Sequence, residues 1–485
     1  MLNLSTLKTP GVYIDEVSLL PPSVAGVETG IPAFVGYTEK NLTDAGVSLE
    51  NKPTRITSLL DYVRLFGGAQ PENDGIKVTI FDVIEKILAD KTKENLLNRE
   101  IHAQLDPSKK SKFNMYYALL WYFANGGGPC YIVSVGLTPA DGSGKPAKQK
   151  LIDGVKILES EDEPTMIVVP EAIASGDAIE IYEEALLQAA KLGDRMVIID
   201  VEQTATDKLG VAADMTAFRG SLDNNRMFGA AYYPNIDTSI DVRYSDTSLT
   251  IEHKKKDLGG ASENGEFEGA ALAAITDKTV QESIRGQIGK MSLQMPPSPA
   301  MAAVWANIDQ ERGVFKAPAN VGLSNVIGPS IKIDDETQKG MNVDATSGKS
   351  VNAIRQLTGR GTVVWGARTL MGESNEWRYI SVRRFFNFVE ESVKKASYRF
   401  VFEPNDANTW VKVRAMIENF LTLQWRAGAL MGAKPEHAFF VRVGLGQTMT
   451  QDDVLNGRLI VEIGMAAVRP AEFIILRFMH KLPES

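Results

Sequence analysis

Two glycine- and lysine-bearing segments come closest to phosphate-binding loops. Such a loop needs the pattern G-x-x-x-x-G-K-[ST], because its backbone N–H groups cradle the phosphates and its hydroxyl binds Mg²⁺. The segment Ser347-Gly348-Lys349-Ser350 has Val343 where the first glycine is required, and no convincing strand precedes it. In Gly142-Ser143-Gly144-Lys145 the next residue is Pro146, which has no hydroxyl. Neither segment predicts a nucleotide site.

The histidines and the cysteine do not form a reactive group. A zinc site needs ligands in closely spaced pairs, and a cysteine nucleophile needs a nearby base. No two of the four histidines lie within five residues of each other: they are His102, His253, His437 and His480. Cys130 follows three glycines and a proline and precedes an apolar run, which is typical of a small core residue at a strand start. The sequence therefore predicts no catalytic residue, metal ligand or cofactor.

Length, charge and composition narrow the class of protein. A chain of 485 residues is too long for one ordinary core, so two to four domains are expected. The net charge of -9 argues against nucleic-acid binding as the main role. No apolar run reaches the ~18 residues of a membrane span, and no secretory signal is visible. The single cysteine excludes a disulfide within the chain and favours a reducing compartment.

Both ends of the chain carry strand-like segments that lack a local partner. A Pro10-Gly11 turn is followed by the β-prone run Gly11–Val17, and the pair Pro21-Pro22 then breaks the chain. The pattern at the other end predicts a last strand over Glu472–Lys481. A lone strand cannot satisfy its own backbone donors and acceptors. The N-terminal strand must therefore pair with a sheet from elsewhere, either in its own chain or in another copy.

The middle of the chain reads as a βαβ unit. A buried strand at Met166–Pro170, a helix at Ala178–Leu192 and a strand at Arg195–Asp200 predict a parallel pair, and Phe228–Pro234 predicts a third strand. The first strand is followed by Val169-Pro170-Glu171-Ala172 rather than by G-x-G-x-x-G. A nucleotide-binding enzyme built on this unit is thus only an alternative interpretation.

Regular elements flank this unit on both sides. The sequence predicts a strand over Ile31–Thr38, a helix over Ser58–Gly67, a helix over Asn114–Asn125 and a strand over Tyr131–Val135. Residues 71–112 and 235–275 are polar or weakly patterned and are interpreted as insertions. The run Lys254-Lys255-Lys256 within the second of them is interpreted as a solvated loop.

The C-terminal third shows the clearest periodicity. Trp377–Ile380 and Tyr398–Phe402 are predicted as strands, and Asn408 as the N-cap of a second helix. Strands are also predicted over Ala438–Val443 and Leu459–Val468. The first helix of this region has an apolar stripe at Val382, Phe385, Phe386, Val389 and Val393.

Short segments along nearly the whole chain carry a family resemblance through their order and spacing. They are Thr9–Glu16, Ile31–Thr38, Asn125–Tyr131, Met295–Ser298, Glu311–Asn320, Gly359–Gly361, Trp365–Leu370, Val382–Arg384, Phe402–Asn405, Ala438–Val441 and Val468–Phe473. In these segments the chain resembles contractile phage tail sheath proteins and the related sheaths of phage-tail-like injection systems and tailocins.

The resemblance implies a structural subunit rather than an enzyme. Proteins of this family stack as hexameric rings around a rigid inner tube, then shorten and drive the tube through a target cell envelope. The implied partners are further copies of the chain, the inner tube protein, and baseplate and tail-terminator or cap proteins, without nucleic acid or direct membrane binding. The implied location is a phage tail or phage-tail-like particle assembled in the bacterial cytoplasm. A capsid or baseplate component is a further alternative.

The resemblance also implies a domain layout on a mixed α/β fold. It comprises an N-terminal arm at 1–30, a discontinuous core at 31–136 plus 346–470, an inserted outer α/β domain at 150–345, and a C-terminal arm at 471–485. The core, a mixed sheet flanked by helices, would be the part nearest the tube.

Two groups of candidate site residues follow from the resemblance. Arm strands that pair with neighbouring copies are expected at Gly11, Val12, Tyr13, Ile14, Asp15, Glu16 and Val17, and at Phe473, Ile474, Ile475, Leu476, Arg477 and Phe478. Basic residues that could contact the tube are Lys394, Lys395, Lys412 and Arg414.

Overall fold

The structure is a computed structural model that describes residues 24–72, 75–86, 94–106, 108–139 and 144–476. Its strands, numbered in chain order, are β1 (Pro32–Thr38), β2 (Thr54–Ile56), β3 (Ile76–Lys86), β4 (Glu94–Leu105), β5 (Cys130–Leu137), β6 (Met166–Val168), β7 (Met196–Asp200), β8 (Gly229–Tyr233), β9 (Ile236–Thr238), β10 (Ile251–Asp257), β11 (Ser262–Asn264), β12 (Leu293–Met295), β13 (Val326–Pro329), β14 (Val351–Leu357), β15 (Gly361–Trp365), β16 (Phe439–Arg442) and β17 (Glu462–Met465). Its α-helices are α1 (Leu59–Phe66), α2 (Met115–Ala124), α3 (Lys148–Ile157), α4 (Ala172–Ser175), α5 (Ala178–Leu192), α6 (Val211–Arg219), α7 (Lys278–Ile288), α8 (Ser298–Arg312), α9 (Asp335–Asn342), α10 (Ile380–Ser397), α11 (Ala407–Arg426), α12 (Pro435–Ala438) and α13 (Gln451–Leu455).

The chain divides into two compact units. The main unit comprises residues 28–387 and 470–485, and the small unit comprises residues 1–27 and 388–469. Each unit is therefore built from segments that are distant in the sequence. The last residues of the chain belong to the main unit, although the 82 residues before them belong to the small one.

The main unit is organised around a mixed sheet in the order β15-β14-β8-β7-β6-β1-β5-β2. The six central strands of this sheet run parallel, and the edge strands β15 and β2 are antiparallel to their neighbours. All five residues of β7 are buried, as expected for a parallel strand that is covered on both faces. Apolar cores lie on both sides of the sheet. The predicted mixed α/β class and the βαβ unit β6-α5-β7 are confirmed.

The predicted border between a core and an inserted domain needs correction. Strands β6, β7 and β8 come from the supposed insert at 150–345, yet they occupy the centre of the sheet that also contains β1 and β14. Backbone hydrogen bonds between β6 and β1, and between β8 and β14, close the ladder across that border. The boundaries at 150 and 345 therefore do not separate two folding units.

The two predicted insertions form one additional sheet in the order β11-β10-β3-β4. Strand β3 alternates buried and half-buried or exposed residues over most of its length, and β10 pairs with it in parallel although about 170 residues separate them in sequence. The interpretation of Lys254-Lys255-Lys256 as a solvated loop is wrong, because all three lie in β10. Lys254 and Lys255 each pair with a carboxylate at 2.8 Å, from Glu268 and Glu94 respectively.

A buried polar cluster fastens these strands together. Arg99 of β4 binds the carboxylate of Asp82 on β3 through two hydrogen bonds of 2.7 Å. His253 of β10 lies 2.9 Å from the same carboxylate through Nε2, and its Nδ1 accepts the backbone N–H of Phe267 at 3.2 Å. Burial alone would raise the pKa of the Asp82 carboxyl, but the hydrogen bonds from Arg99 and His253 outweigh it and keep the pKa low.

The small unit contains α11, α12, α13 and a two-stranded sheet. Strands β16 and β17 pair antiparallel, and α11 packs against β16. The predicted helix with the apolar stripe is confirmed as α10. The predicted second helix is confirmed as α11, but it has a different N-cap. The N-cap is Asp406, whose side chain accepts the N–H of Thr409, and not Asn408.

Two of the strands predicted in the C-terminal third are wrong. Tyr398–Phe400 forms a turn of 3₁₀-helix that continues from α10, and the chain then turns toward α11. Of Trp377–Ile380, Tyr379 makes an isolated bridge to Arg368 and Ile380 already begins α10. In both segments the apolar and aromatic residues favour a strand by composition, but they stand at the two ends of α10 instead.

Two buried carboxylates join strand ends to helix N-termini in the main unit. Glu171, just after β6, accepts the backbone N–H groups of Asn114 and Met115 at the start of α2, and that of Tyr37 on β1. Asp200, the last residue of β7, accepts the N–H of Ser298 at 2.8 Å and its hydroxyl at 2.6 Å, at the start of α8. Burial raises the pKa of Glu171 to about 8 and of Asp200 to about 7, although these donors favour the ionised forms.

Asp200 should make the stability of the main unit depend on pH. Since its pKa is raised on folding, the folded protein binds more protons between about pH 4 and pH 7, and stability falls as the pH rises through this window. We expect Asp200→Asn to reduce this fall by up to about 4 kcal/mol. The amide keeps the shape, its oxygen can still accept the N–H of Ser298, and its NH₂ can donate to the Ser298 hydroxyl. Denaturant unfolding at pH 5, 6, 7 and 8 measures the slope. The exposed Asp153→Asn is the control, and an Asp200→Asn slope equal to that of the wild type would contradict the assignment.

Candidate assembly site

The segment that comes closest to a phosphate loop has a structural role. The ammonium group of Lys349 is buried and donates to the carbonyl oxygens of Arg219 and Ser221 and to the carboxylate of Asp223. Ser347 is bound by its backbone and hydroxyl to Asp344. These contacts use all three ammonium protons, so Lys349 braces the loop after α6. The segment Gly142-Ser143-Gly144-Lys145 lies partly outside the described residues.

Part of the edge of the main sheet where nucleotides bind in other α/β proteins is occupied by acidic side chains of the chain itself, and the cleft of about 370 Å³ that stays open there is lined by Glu180, Glu202 and Asp214. Ligands of open α/β sheets occupy the crevice outside the carboxyl ends of the strands, next to helix N-termini. Here Glu171 and Asp200 occupy the N-termini of α2 and α8 with their own carboxylates. A phosphate group would meet these carboxylates at both places.

The remaining chemistry-bearing residues are also in structural positions. Cys130 begins β5 and is buried, which raises the pKa of its thiol. Within the described ranges, no group of three or more histidine, cysteine or acidic side chains could hold a metal ion. A search of those same ranges also finds no helix with the length and apolar character needed to cross a membrane.

The C-terminal arm begins at a clasp around Glu472 in the main unit. The guanidinium of Arg368 binds the Glu472 carboxylate at 3.0 Å through Nε and at 2.7 Å through Nη2. Asn342 and Tyr379 donate to the same carboxylate at 2.8 and 3.3 Å. Burial alone would raise the pKa of Glu472. The hydrogen bonds to its carboxylate outweigh burial, with that from Arg368 as the strongest, and hold the pKa below its ordinary value. The clasp therefore keeps Glu472 ionised and fixed.

The clasp is itself anchored in the main sheet. The side chain of Arg368 is only 3% exposed, and its backbone N–H and carbonyl both bind the side-chain amide of Asn352 at 2.8 Å. Asn352 lies in β14 and is buried. A cleft of about 610 Å³ borders the clasp, with Trp365 and Pro470 in its wall. Glu472 is thus held by a chain of hydrogen bonds that starts in the sheet.

The chain becomes exposed immediately after the clasp. Phe473, Ile474, Ile475 and Leu476 are 72–79% exposed and belong to no strand or helix. A run of four large apolar residues in solvent is costly, at about 25 cal/mol per Å² of apolar surface. The predicted strand over 472–481 is therefore not formed at its described residues. Arg477 and Phe478 lie outside the described residues.

The N-terminal arm Gly11–Val17 lies outside the described residues. The described chain starts at Val24, in the small unit, where a Cβ added at Gly26 would lie only 3.0 Å from the ring of Phe388. The backbone N–H of Val27 binds the hydroxyl of Ser392 on α10 at 3.1 Å. The residues that follow the predicted arm are therefore fixed on α10.

The sheet β16-β17 of the small unit is a candidate acceptor for such arms. Among the described strands, β16 has only β17 as a neighbour, and β17 has only β16. Residues 466–468, which follow β17, bind Ala429–Met431 through two backbone hydrogen bonds. A two-stranded sheet is only marginally stable by itself, so further strands would stabilise it. The sequence predicts longer strands here, over Ala438–Val443 and Leu459–Val468, and gives no sign that each strand has only four residues.

The four basic tube-contact candidates lie on α10 and α11 but differ in their pairing. Lys394 and Lys395 pair with Glu391 at 3.0 and 3.5 Å, and Arg414 pairs with Glu418 at 3.1 Å. Lys412 is exposed and has no ion-pair partner in the part of the chain that the structure describes.

Comparison with known proteins identifies relatives along the whole chain. A family model described as the phage tail sheath C-terminal domain matches residues 373–480. The anti-feeding prophage helical sheath in its contracted state is 30% identical with a TM-score of 0.62, and the match covers 98% of this chain and 100% of that one. The sheath complex of PVC, an extracellular contractile injection system, in its contracted state is 29% identical with a TM-score of 0.62, and the match covers 98% of both chains.

A chain of the anti-feeding prophage baseplate is similar to the same degree. It is 29% identical with a TM-score of 0.61, and the match covers 98% of this chain and 100% of that one. No curated protein sequence matches the chain.

Glu472→Gln should loosen the root of the C-terminal arm. The amide keeps the shape of the side chain but removes the charge that the buried guanidinium of Arg368 requires. We expect the hydrogen-bonded backbone amides of Arg368 and Thr369, next to the unpaired guanidinium, to exchange with deuterium at least several-fold faster, while the exchange in β7 stays unchanged. Glu373→Gln, which removes the other and more exposed carboxylate next to Arg368, is the matched control. Equal exchange in the wild type and in Glu472→Gln would exclude the clasp.

Proposed function

Because this chain belongs to the contractile tail sheath family, we propose that it is the subunit that polymerises as stacked hexameric rings around an inner tube and then contracts. Contraction would drive the tube through a target cell envelope. The match to the contracted anti-feeding prophage sheath over the full length of both chains carries this proposal. The structural role and the place in a phage-tail-like contractile particle follow from the family; the rings, the tube and the movement are proposed here.

The copies are linked through their arms in this proposal. Gly11–Val17 and Phe473–Phe478 each add a strand to β16-β17 of an adjoining copy, which buries the apolar residues that follow Glu472. Each added backbone hydrogen bond contributes about 0.5–1.5 kcal/mol net, so a strand of several residues forms a firm but directional link. The exposure of 473–476 and the two-stranded state of β16-β17 support this arrangement.

The energy for contraction comes from contacts between copies in this proposal. The helix N-termini at the carboxyl edge of the main sheet are occupied by Glu171 and Asp200, and Lys349 is used internally, which disfavours the alternative of a nucleotide-driven enzyme. A gain of a few kcal/mol per subunit shifts a two-state equilibrium almost completely, and the gains add along a long sheath.

The tube contact is assigned to the small unit. Lys412 is the first candidate because its charge is not compensated by a described neighbour, whereas Lys394, Lys395 and Arg414 have carboxylate partners. An acidic patch on the tube protein is the complementary surface. Baseplate and terminator proteins are the remaining partners, and assembly takes place in the bacterial cytoplasm.

Two finer alternatives remain within this proposal. The similarity to a baseplate chain makes a baseplate subunit the second candidate. The named relatives come from an extracellular contractile injection system and an anti-feeding prophage, which favours an injection particle over an infective phage.

Deletion of residues 1–17 should abolish long sheaths without unfolding the protomer. The truncated chain lacks Gly11–Val17 and keeps the segment from Val24 onward that is fixed on α10. We expect circular dichroism and the melting temperature of the protomer to be unchanged, and negative-stain microscopy after co-expression with the tube protein to show no long tubes. Deletion of residues 1–8 removes a similar terminus but keeps the strand, and serves as control. Wild-type-like tubes from the longer deletion would refute the arm model.

Lys412→Glu should weaken attachment to the tube and leave sheath formation intact. Reversing an exposed charge at an electrostatic contact lowers the association rate and the affinity, most strongly at low salt. We expect a several-fold lower fraction of tube-filled sheaths by microscopy and co-sedimentation. Lys434→Glu, an exposed lysine of the same unit, is the control. If both variants behaved alike, Lys412 would have no special role in tube binding.

A further inference from the structure

The connection between α10 and α11 carries a fully exposed phenylalanine. Phe402 is 102% exposed, so none of its side chain is covered by the chain. Tyr398 and Val401, on the same connection, are 61% and 55% exposed. We call Tyr398, Val401 and Phe402 the aromatic tip. Isolated exposed apolar residues are common, but three of them on one short connection form a patch.

The backbone at this tip is strained. Phe402 has a φ of 72°, in the left-handed region that bulky residues rarely adopt. Glycine or asparagine would adopt this conformation more easily. The chain therefore carries a large apolar residue where both the backbone and the solvent disfavour it. Such outliers persist where the surroundings hold them, and they concentrate at functional sites.

Backbone hydrogen bonds hold the turn of the tip, from the N–H of Val401 to the carbonyl of Tyr398 at 3.2 Å and from the N–H of Glu403 to the carbonyl of Phe400 at 3.1 Å, and the residues that follow are anchored as well. Asn405 accepts a hydrogen bond from the indole N–H of Trp410 at 2.7 Å and donates one to the carbonyl of Arg458 at 3.0 Å. Asp406 caps α11 through the N–H of Thr409 at 3.0 Å. A tip that is fixed before binding loses little conformational entropy when it docks.

We propose that the aromatic tip docks into an apolar pocket on a second copy of this chain. The inference rests on the proposed sheath function, and it adds a contact that does not involve the arm strands. A few side chains of this kind bury only a few hundred Å², far below the roughly 1,200 Å² of the smallest stable interfaces. The contact therefore needs a partner that another link already holds nearby.

A second copy is the partner that meets this condition. The hydrogen bond from Asn405 to Arg458 ties the tip to the segment that leads into β17, and α11 packs against β16. The tip is thus continuous with the proposed acceptor sheet, where an arm would hold a neighbouring copy. The charges on the connection are mixed, with Arg399 and Glu403 flanking the apolar residues, and do not favour a partner of a single charge such as an acidic tube surface.

The test replaces Phe402 by asparagine, which tolerates the left-handed backbone and removes the ring. We expect Phe402→Asn to leave the melting temperature of the protomer unchanged or higher, and to raise the protein concentration needed for sheath formation about tenfold or more. Phe402→Tyr keeps an aromatic ring and should assemble normally. Leu258→Asn removes another exposed apolar residue, 66% exposed, from the main unit and should also assemble normally.

Photo-crosslinking from position 402 identifies the partner. With a benzoylphenylalanine at this position in assembled sheaths, we expect crosslinked peptides that join two copies of this chain. Crosslinks to the tube or baseplate protein alone, or Phe402→Asn sheaths that form at wild-type concentration, would overturn the proposal. If the wild-type chain formed no sheath at all, the proposed function would fail. If the wild-type chain forms sheaths, the assembly of Phe402→Asn tests only the role of the aromatic tip.

Discussion

The central constraint on this protein is that the backbone donors and acceptors of the residues after Glu472 need partners. After Glu472 the sequence continues with Phe473-Ile474-Ile475-Leu476, which favours a strand by composition but has no strand beside it in the described part of its own fold. In water such a segment exposes apolar surface, and in a dry interface it would leave its amides unpaired. Addition to the edge of another sheet resolves both costs at once. In the proposed strand addition, a sheet of an adjoining copy completes this segment.

The rest of the main unit provides a rigid base for that exposed segment. The guanidinium of Arg368 holds Glu472, Asn352 holds the backbone of Arg368, and Asn352 lies in β14 of the large sheet. A pull on the arm is therefore transmitted through directional hydrogen bonds into a close-packed sheet with cores on both faces. Since packed interiors deform little, the subunits would move as rigid bodies in the proposed contraction. Rigid subunits with compliant linkers can rotate without losing their connections.

The sequence predicted the local elements well and the long-range ones poorly. The βαβ unit and the stripe on α10 follow from periodicity within short windows, and both are confirmed. The sheet of β3 and β10 was missed, because its partners are about 170 residues apart and the lysines of β10 looked like a solvated loop. The carboxylates of Glu268 and Glu94, which pair with two of these lysines, become apparent only when the segments are brought together. Tyr398–Phe402 was mistaken for a strand because exposed aromatic residues at a turn have the same composition as a buried strand.

The same carboxylates that stabilise the fold also explain how a nucleotide-type sheet can serve mechanical work. In an enzyme of this architecture the helix N-termini at the carboxyl edge of the sheet are left open for phosphate. Here Glu171 and Asp200 bind the N–H groups at the starts of α2 and α8, and the cleft that stays open at this edge is lined by further acidic residues such as Glu202 and Asp214. Such a lining repels phosphate, so the edge favours a structural unit over a nucleotide site. In the proposed contraction the free energy comes from contacts between subunits, and the apolar residues after Glu472 and the strained Phe402 are the candidates for those contacts.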